Sequence, residues 1–532
     1  MSILGAKQSL GLAAILLAAS NLLSRLMGLI RDKVISWQFG AGSEADLYFA
    51  AFVVPDIINY LLAGGFMSIT IIPLLARTFQ EDENDAWRFF STVLTWIFLV
   101  ATFLTVICMF QAEALAGIIA PGFNLEQKTR LTYFMRIVLP AQVFFLTGAC
   151  FTALLFLRRQ FRVPALTPLI YNGSIILGGL LLPAIPLIWE EGSNYQSQLE
   201  HFGMTGYCLG VTIGAFIGAF LLPYLTVKRQ GLHFKLSFSH PLLKKFIVLA
   251  LPLMLGQTII MLDEQFLRIF GSFLDSGTVA LLNYGRRVAL LPIGLIGQAV
   301  AVASYPFLVK LLASGERERF YGTINQAMQA GLSLILPCVA YIFAAAWPIL
   351  TFIFQGGRFG QPETLACTPL LQILILAVPL WMVYMVLVRA FYAQEDTITP
   401  AVTGTIVTLI AVPNYYFVSS RISAKAIALT SAVSVSSYII WLMLIWRKRF
   451  GGAIFKGLGR VSCKALFCAL PAALVAWQIS ALLIKTLELS PWLLSVLVLA
   501  VSGIVYLALF FALAAFIWPD FWPFLRKGLL KR

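Results

Sequence analysis

Long apolar runs, separated by short polar breaks, follow one another along almost the whole chain of 532 residues. A helix that crosses a membrane needs about 20 predominantly apolar residues, and the chain offers run after run of that length. Only 11% of the residues are charged, against about 25% in an average soluble protein. We therefore predict an all-α polytopic membrane protein. The same features argue against a soluble multidomain enzyme, a disordered chain and a disulfide-stapled secreted domain.

The apolar runs predict fourteen transmembrane helices. Because fourteen is an even number, both ends of the chain are expected on the same side of the membrane. The approximate limits of the spans are 8–33, 45–78, 89–111, 130–157, 165–187, 205–226, 246–270, 278–309, 324–353, 366–393, 400–419, 424–446, 462–484 and 492–517.

The basic residues are distributed unevenly between the two sides. With the N-terminus inside, 24 of the 38 Lys and Arg residues fall in inner segments, eight fall in outer segments, and six lie within or at the edge of spans. Arg268 and Arg358 are among the eight. Because cytoplasmic loops carry an excess of Lys and Arg, we expect both termini in the cytoplasm. The net charge of +15 then reflects orientation among membrane lipids, and no nucleic-acid partner is expected.

Two polar turns six spans apart share a pattern. After each turn, the next helix begins with Pro-Ala, at Pro164 and at Pro400. Proline suits the first helical turn because its missing N–H would be unpaired there anyway. Residues 73–77 and 306–310 each run from a proline to a basic residue, again six spans apart. These matches predict two six-helix lobes in parallel pseudo-repeat, a transporter feature, plus two extra C-terminal helices.

The repeat suggests four regions of the chain. We predict an N-terminal lobe at 1–226, a cytoplasmic amphipathic linker at 227–245 and a C-terminal lobe at 246–446. The remaining region, 447–532, holds the last two spans and a basic cytoplasmic tail.

Ionisable and polar side chains cluster in four of the spans, where a charge costs about 2.5–3.5 kcal/mol on insertion scales. Under the repeat, span one corresponds to span seven and span two to span eight. This predicts one polar cavity lined by spans one, two, seven and eight. An ion pair within span one, and mutual neutralisation between spans seven and eight, are the structural alternatives. The residues are Ser24, Arg25, Arg31, Asp32, Asp46, Asp56, Asn59, Asp263, Glu264, Arg286 and Arg287. Gly64 and Gly65 predict a kink in span two.

The arginines indicate what the cavity binds. An arginine does not lose its proton, so it cannot relay one, whereas its planar fork suits phosphate and pyrophosphate. We therefore expect an anionic, phosphate-bearing substrate. The sequence shows no nucleophile–base set, no metal-ligand cluster and no Walker motif, so we expect a transporter and not an enzyme.

An ordered set of segments covers nearly the whole chain and is similar to one known family. The segments are Ser24–Asp32, Phe39–Gly42 with Asp46, Pro55, Ala120–Phe123, Arg162–Pro168 with Asn172, Gly277–Pro292 with Arg287, Phe354–Phe359, and Phe391–Tyr392 with Asp396–Thr397 and Thr399–Pro400. This set resembles the MurJ/MviN family, the lipid II flippases of the MOP exporter superfamily.

The resemblance implies fourteen helices in two lobes and an alternating-access cycle. Such a protein carries lipid II, an undecaprenyl-pyrophosphate-linked disaccharide-pentapeptide, from the inner to the outer leaflet of the bacterial inner membrane for peptidoglycan synthesis. It implies that pyrophosphate is bound by Arg25, Arg31 and Arg287. It further implies cavity or gating roles for Ser24, Asp32 and Asp46, and a groove for the lipid tail that spans 13 and 14 form. A monomer is expected.

The chain also departs from the family pattern. Better-studied members carry an Arg pair in span two followed by an acidic residue, and the aligned positions here read Asn59, Tyr60 and Gly64. Our hypothesis is that Arg286 replaces the lost cation. No cofactor is expected apart from a sodium ion, for which the resemblance suggests Asp263, Asn414 and Thr430.

Two other functions remain open at this point. One is a flippase for another polyprenyl-pyrophosphate-linked oligosaccharide, which needs the same arginines. The other is a cation-coupled antiporter of the multidrug type. That class needs titratable carboxylates more than arginines, so Arg25, Arg31 and Arg287 argue against it.

Overall fold

The computed structural model describes residues 10–63, 70–186, 194–419 and 423–521. Gly64 and Gly65, where a kink was predicted, lie outside these ranges. The described residues form helices and turns and contain no β-strand. The α-helices are α1 Leu10–Phe39, α2 Ser43–Ala51, α3 Val53–Ala63, α4 Ile72–Glu81, α5 Glu83–Phe110, α6 Ala112–Ile119, α7 Leu125–Val138, α8 Ala141–Leu157, α9 Arg162–Leu181, α10 Tyr195–Phe202, α11 Thr205–Gly214, α12 Leu222–Lys228, α13 Pro241–Gly271, α14 Thr278–Ala289, α15 Gln298–Ala313, α16 Arg317–Ala344, α17 Ala346–Ile353, α18 Gln361–Ile375, α19 Val378–Ala393, α20 Ile398–Ser419, α21 Ala424–Phe450, α22 Leu458–Thr486 and α23 Pro491–Ile517.

Several of these helices are long and apolar enough to cross a membrane. Within the described residues ten qualify, and the number reaches 12 when two bent pairs are each counted as one span. The bent pairs are Thr278–Ala289 with Ile293–Ala301, at 45°, and Gln361–Ile375 with Val378–Ala393, at 41°. Helices α1 and α13 lie where spans one and seven were predicted. The predicted class of all-α polytopic membrane protein is confirmed, and the count of fourteen stays a prediction.

The chain divides into two compact units. The first comprises Met1–Ile35 and Gly42–Val279, and the second comprises Ser36–Ala41 and Ala280–Arg532. Helix α13, which was predicted to open the C-terminal lobe, packs against α3 and α5 of the first unit. The boundaries of the compact units therefore differ from the predicted boundaries of the lobes, and the two lobes stay a prediction.

The linker predicted at 227–245 is shorter in the structure. Helix α13 begins at Pro241, because proline fits the first helical turn and His240 caps it by accepting a hydrogen bond from the Leu242 N–H. Before that point the chain lies along α5, where Trp96 donates its indole N–H to the carbonyl of Phe238 at 2.9 Å. Leu236 is 68% exposed, so apolar side chains of this segment do face outward.

The predicted repeat is visible in the backbone of two turns. Arg159 and Glu395 are the non-glycine residues with positive φ in the described part of the chain, at 58° and 59°. In one turn the N–H of Gln160 bonds the carbonyl of Leu155 at 2.8 Å, and in the other Asp396 bonds Phe391 at 3.0 Å. Both helices thus end in the same left-handed cap, at corresponding positions of the two halves.

Each of these turns is tied to the last span of its own half. In the first unit, Gln230 beyond α12 donates its side-chain amide to Gln160 Oε1 at 2.9 Å. In the second unit, Arg449 at the end of α21 donates from Nη1 to Asp396 Oδ2 at 2.9 Å. The first contact joins two amides and the second joins an arginine and a carboxylate. Both contacts connect the turn to the end of the last span of the same half, which supports the parallel repeat.

The ends of the first span of each repeat also make matching contacts. In the second unit, the carbonyl of Trp37 accepts a hydrogen bond from the N–H of Arg358 at 2.9 Å. In the first unit, Ser272 Oγ accepts one from the N–H of Gly122 at 3.4 Å. One sequence offset relates position 36 to 272, 122 to 358, and 159 to 395. The end of the first span of one repeat therefore packs on a loop that belongs to the other repeat in sequence.

A ladder of glycines on span six brings α11 close to α9. Gly206, Gly210 and Gly214 recur every fourth residue, and small residues at that spacing let membrane helices approach closely. A Cβ on Gly210 would overlap the backbone of Ser174 and Ile175. The two helix backbones therefore touch directly at this position.

Replacement of Gly210 by Ala is expected to destabilise the protein. The added methyl group must push α11 from α9, and overpacking of this kind costs about 1–3 kcal/mol. The measurement is the midpoint of thermal unfolding in detergent, which we expect to fall. Gly117→Ala in α6 is the matched control, because nothing lies within 4 Å of its added Cβ. Equal midpoints for the two variants would contradict this packing.

Candidate functional site

Arg31 and Asp32 form an ion pair within α1. Arg31 Nη2 lies 2.7 Å and Nε 2.9 Å from the same oxygen, Oδ1 of Asp32. The Arg31 side chain is 12% exposed and that of Asp32 is 2% exposed. Asp32 therefore pairs with its sequence neighbour, as in the alternative of an ion pair within span one, because the arginine is long enough to fold back along the helix.

Asn172 of α9 holds this arginine from the other side. Arg31 Nη1 lies 3.3 Å from Asn172 Oδ1, and Asn172 Nδ2 lies 3.0 Å from the carbonyl of Pro168 and 3.5 Å from Ser24 Oγ. The structure therefore brings Ser24, Arg31 and Asp32 into one network through Asn172. Arg25 lies on the same helix, with its side chain half-buried.

The network suits the capture of a phosphate. A guanidinium has donors in a fixed fork that match phosphate oxygens two at a time. Asp32 occupies two of the donors of Arg31, and Asn172 orients a third. An arriving phosphate would compete with a carboxylate for a guanidinium that is already oriented, in a region with little water.

Asp46 has a different part in the structure. It lies in the first turn of α2 and is 1% exposed. Its Oδ2 accepts a hydrogen bond from the backbone N–H of Gly277, just before α14. A carboxylate that bonds a backbone N–H at the start of a helix is stabilised there. Asp46 therefore fixes the segment that follows α13, which fits the gating role that the family resemblance implied.

Asp56 and Glu264 meet at an arginine that the sequence analysis had counted on the outer side. Arg268 lies three residues from the end of α13 and is only 6% exposed. Its Nη1 is 2.8 Å from Asp56 Oδ2, and its Nη2 is 2.8 Å from Glu264 Oε1. Glu264 thus has an ion-pair partner on its own helix, and neutralisation between spans seven and eight stays a prediction.

Asn59 lies one turn after Asp56 on α3. It donates from Nδ2 to Gln142 Oε1 of α8 at 3.1 Å. Gln142 is 4% exposed and Asn59 is half-buried, so this is a partly buried amide pair between spans two and four. At this position the chain uses a neutral hydrogen bond in place of the charge that the family pattern carries.

The two arginines of α14 have different surroundings. Arg286 is 8% exposed and its guanidinium lies 5.7 Å from the ring centre of Trp381, whereas Arg287 is exposed. A cation over an aromatic face is stabilised by the ring. This packing favours a structural role for Arg286 and leaves Arg287 accessible. The hypothesis that Arg286 replaces a lost cation stays a prediction.

The residues suggested for sodium lie on three helices. Asp263 is on α13 in the first unit, whereas Asn414 and Thr430 are on α20 and α21 in the second. Asn414 donates to the carbonyl of Ile410 at 3.1 Å and Thr430 to that of Ala426 at 2.9 Å, each within its own helix. Among the described residues, no three His, Cys, Asp or Glu side chains group as metal ligands. The sodium site stays a prediction.

The last two spans pack on span nine in the second unit. Tyr506 of α23 donates its hydroxyl to the carbonyl of Pro337 at 2.7 Å, and Tyr341 of α16 donates to that of Leu499 at 3.1 Å. A cavity of about 340 Å³ lies between these helices, with Tyr506, Phe510 and Pro337 in its walls. Its lining is almost wholly apolar, so it suits a hydrocarbon chain.

Sequence reasoning missed three of these residues. Arg268 was counted with loop charges, although Glu264 four residues earlier is the spacing of a helical ion pair. Gln142 lies inside the predicted span 130–157 but was not singled out, because a single uncharged glutamine is a weaker signal than an ionisable side chain. Asn172 was noted only as part of a family segment, and its contact with Arg31 joins helices far apart in the chain.

Comparisons with known proteins give a consistent result. A family model described as "Lipid II flippase MurJ" matches residues 35–510. A "Probable lipid II flippase MurJ" from Rhizobium meliloti is 26% identical over 440 residues, which cover 80% of this chain and 79% of that protein. A solved structure of a lipid II flippase MurJ in an inward closed conformation is similar with a TM-score of 0.76 at 22% identity, and it covers 95% of this chain and 99% of its own. An inward-facing multidrug resistance MATE transporter of the MOP superfamily is similar with a TM-score of 0.65 at 16% identity, over 82% of this chain and 99% of its own.

Proposed function

Because the chain belongs to the MurJ family of lipid II flippases, we propose that it moves lipid II across the cytoplasmic membrane by alternating access. It is a multi-pass inner-membrane transporter and not an enzyme. The observation that carries the proposal is the family match over residues 35–510, together with an oriented, nearly buried arginine in α1. The likeness to a MATE transporter supports the fold alone, so it does not favour multidrug export.

The pyrophosphate of the substrate is the group that the arginines recognise. We assign Arg25, Arg31 and Arg287 to this contact. Asp32 neutralises Arg31 while the site is empty, and the pyrophosphate competes with Asp32 for the fork when substrate arrives. A ligand shifts a conformational equilibrium only by its difference in affinity between the two states. Exchange of Asp32 for pyrophosphate supplies such a difference, because it changes the charge around α1.

The lipid tail stays in apolar surroundings during transfer. The cavity beside Tyr506 and Phe510 is apolar and borders the last two spans, and this supports the assignment of α22 and α23 to the tail. We further propose that both termini are cytoplasmic, as the charge distribution indicates, and that the protein acts as a monomer among membrane lipids. A bound sodium ion is part of the proposal, with Asp263, Asn414 and Thr430 as its candidate ligands.

Complementation tests the proposed substrate. The full-length chain is expressed in a bacterium from which the resident lipid II flippase can be depleted, and growth and the pool of lipid II in the membrane are followed. We expect the chain to restore growth and to prevent lipid II from accumulating. If the cells lyse while the protein is inserted in the membrane, lipid II is not its substrate. Restored export of a different polyprenyl-pyrophosphate oligosaccharide would then identify the alternative.

A further inference from the structure

Arg268 joins two helices through charges that the proposed pyrophosphate site does not use. Besides Asp56 on α3 and Glu264 on its own helix, it contacts Gln265 Oε1 from Nη1 at 3.1 Å. The arginine side chain is 7% exposed, whereas the carboxylates of Asp56 and Glu264 are 27% and 28% exposed. The guanidinium is therefore held mainly by protein groups, and α13 is fastened to α3 by its bond to Asp56.

Two hydrogen bonds from backbone N–H groups to side-chain oxygens fasten the end of the same helix. The N–H of Gly122 donates to Ser272 Oγ, and the N–H of Gly277 donates to Asp46 Oδ2. A Cβ at Gly122 would overlap the backbone of Ser272 and Phe273, so the two segments touch directly. The ion pair of Arg268 is the charge–charge member of this group of contacts, because both of its partners are ionisable side chains.

The position of α13 in the repeat indicates what these contacts do during transport. By sequence α13 is the first span of the second repeat, yet it packs within the first unit. Alternating access moves one repeat against the other. In the proposed orientation α13 ends at the outer side, so its end must leave the first repeat when the outer side opens. The ion pair opposes that separation, because Asp56 would lose its charged partner.

We propose that Arg268 is a positioning residue for lipid II transport. Its pair with Asp56 holds the seventh span against the second while the outer side is closed, and the pair separates when the outer side opens. Glu264, one turn earlier on the same helix, keeps the guanidinium paired after Asp56 has left. The cluster thus has two carboxylates for one arginine because the arginine needs a partner in both states. This inference rests on the proposed function and on the proposed orientation.

Charge exchange tests the pairing. Arg268→Gln and Asp56→Asn should each lower lipid II export by about 10-fold, a typical coupling between two states. The double variant Asp56→Arg/Arg268→Asp should recover export only in part, because it restores the ion pair between the helices but takes the arginine away from Glu264 on α13. Export by Arg268→Lys should lie between that of the native chain and that of Arg268→Gln, because lysine keeps the charge but contacts fewer oxygens at once. Arg77→Gln is the matched control, since it removes an exposed ion pair within one helix.

A second measurement reports the state of the outer side directly. Ser272 is 2% exposed. The seven native cysteines are first replaced, and a cysteine is then introduced at position 272. This cysteine reacts with an impermeant thiol reagent added outside only when the end of α13 is free. Arg268→Gln should raise this reaction rate by about fivefold, and Arg77→Gln should not. A purely structural role for Arg268 would lower the unfolding temperature and leave the labelling rate unchanged.

The outcomes separate this inference from the proposed function. If the native chain does not export lipid II, the proposed function fails, and the labelling comparison still decides the role of Arg268. The inference is wrong if Arg268→Gln is labelled at the native rate. It is also wrong if the exchanged variant, inserted and unfolding at the native temperature, stays as inactive as the single variants. That result would show that the arginine is needed at its own position and not for its pair.

Discussion

Replacement of Arg31 by Lys is expected to reduce lipid II export about 100-fold or more, although the positive charge is kept. A lysine offers a compact point charge, so it cannot bind a pyrophosphate through two parallel bonds. It would also give up the bond to Asn172 that orients the native side chain. Loss of one partner from a buried hydrogen-bonded charge pair costs about 2–5 kcal/mol, which is the range that such a loss of transport requires.

The measurement is lipid II export per inserted molecule in the flippase-depleted strain. Arg319→Lys serves as the control, because Arg319 is an exposed helical residue paired with Glu316 and its replacement should leave export unchanged. If Arg31→Lys exports at the native rate, Arg31 is a counter-ion for Asp32 and does not bind the substrate.

The arginines of α14 are expected to respond differently from each other. Arg287→Ala should lower export about 100-fold, because this exposed side chain is the one assigned to pyrophosphate. Arg286→Ala should lower the unfolding midpoint instead, because it removes a buried cation from the face of Trp381 and leaves a cavity. Export and thermal unfolding are measured on both variants. If Arg286→Ala abolishes export at native stability while Arg287→Ala does not, the two roles are exchanged.

The fold class could be predicted from the sequence because the membrane allows few solutions. A spanning segment must be apolar and must satisfy its own backbone, so helices are visible as apolar runs, and charged residues such as Arg31 and Asp46 are conspicuous within them. The repeat was also detectable, because Pro164 and Pro400 start helices at equivalent places. The structure adds that Arg159 and Glu395 adopt the same left-handed cap, which is a property of backbone angles that residue types alone do not reveal.

The partners of individual side chains were harder to predict than the helices on which those side chains lie. Helical spacing places Asp32 in line with Arg25, and it does not reveal the ion pair with Arg31, since a long side chain can bend around the helix. Asp56 and Arg268 belong to helices far apart in the chain, and the repeat alone placed α13 in the other lobe. Such pairs depend on how helices pack in three dimensions, and that packing is set by many weak contacts.

The most direct test of the whole account is the appearance of lipid II at the outer surface. Cells depleted of their resident flippase and expressing this chain are treated with an outside-added enzyme that cleaves lipid II, and the cleaved fraction is measured. We expect the native chain to restore cleavage to the level of undepleted cells, and Arg31→Lys to leave lipid II protected. Protection of lipid II in cells with the native chain inserted would contradict the proposed flippase function. Equal cleavage with the native chain and with Arg31→Lys would contradict pyrophosphate recognition by Arg31.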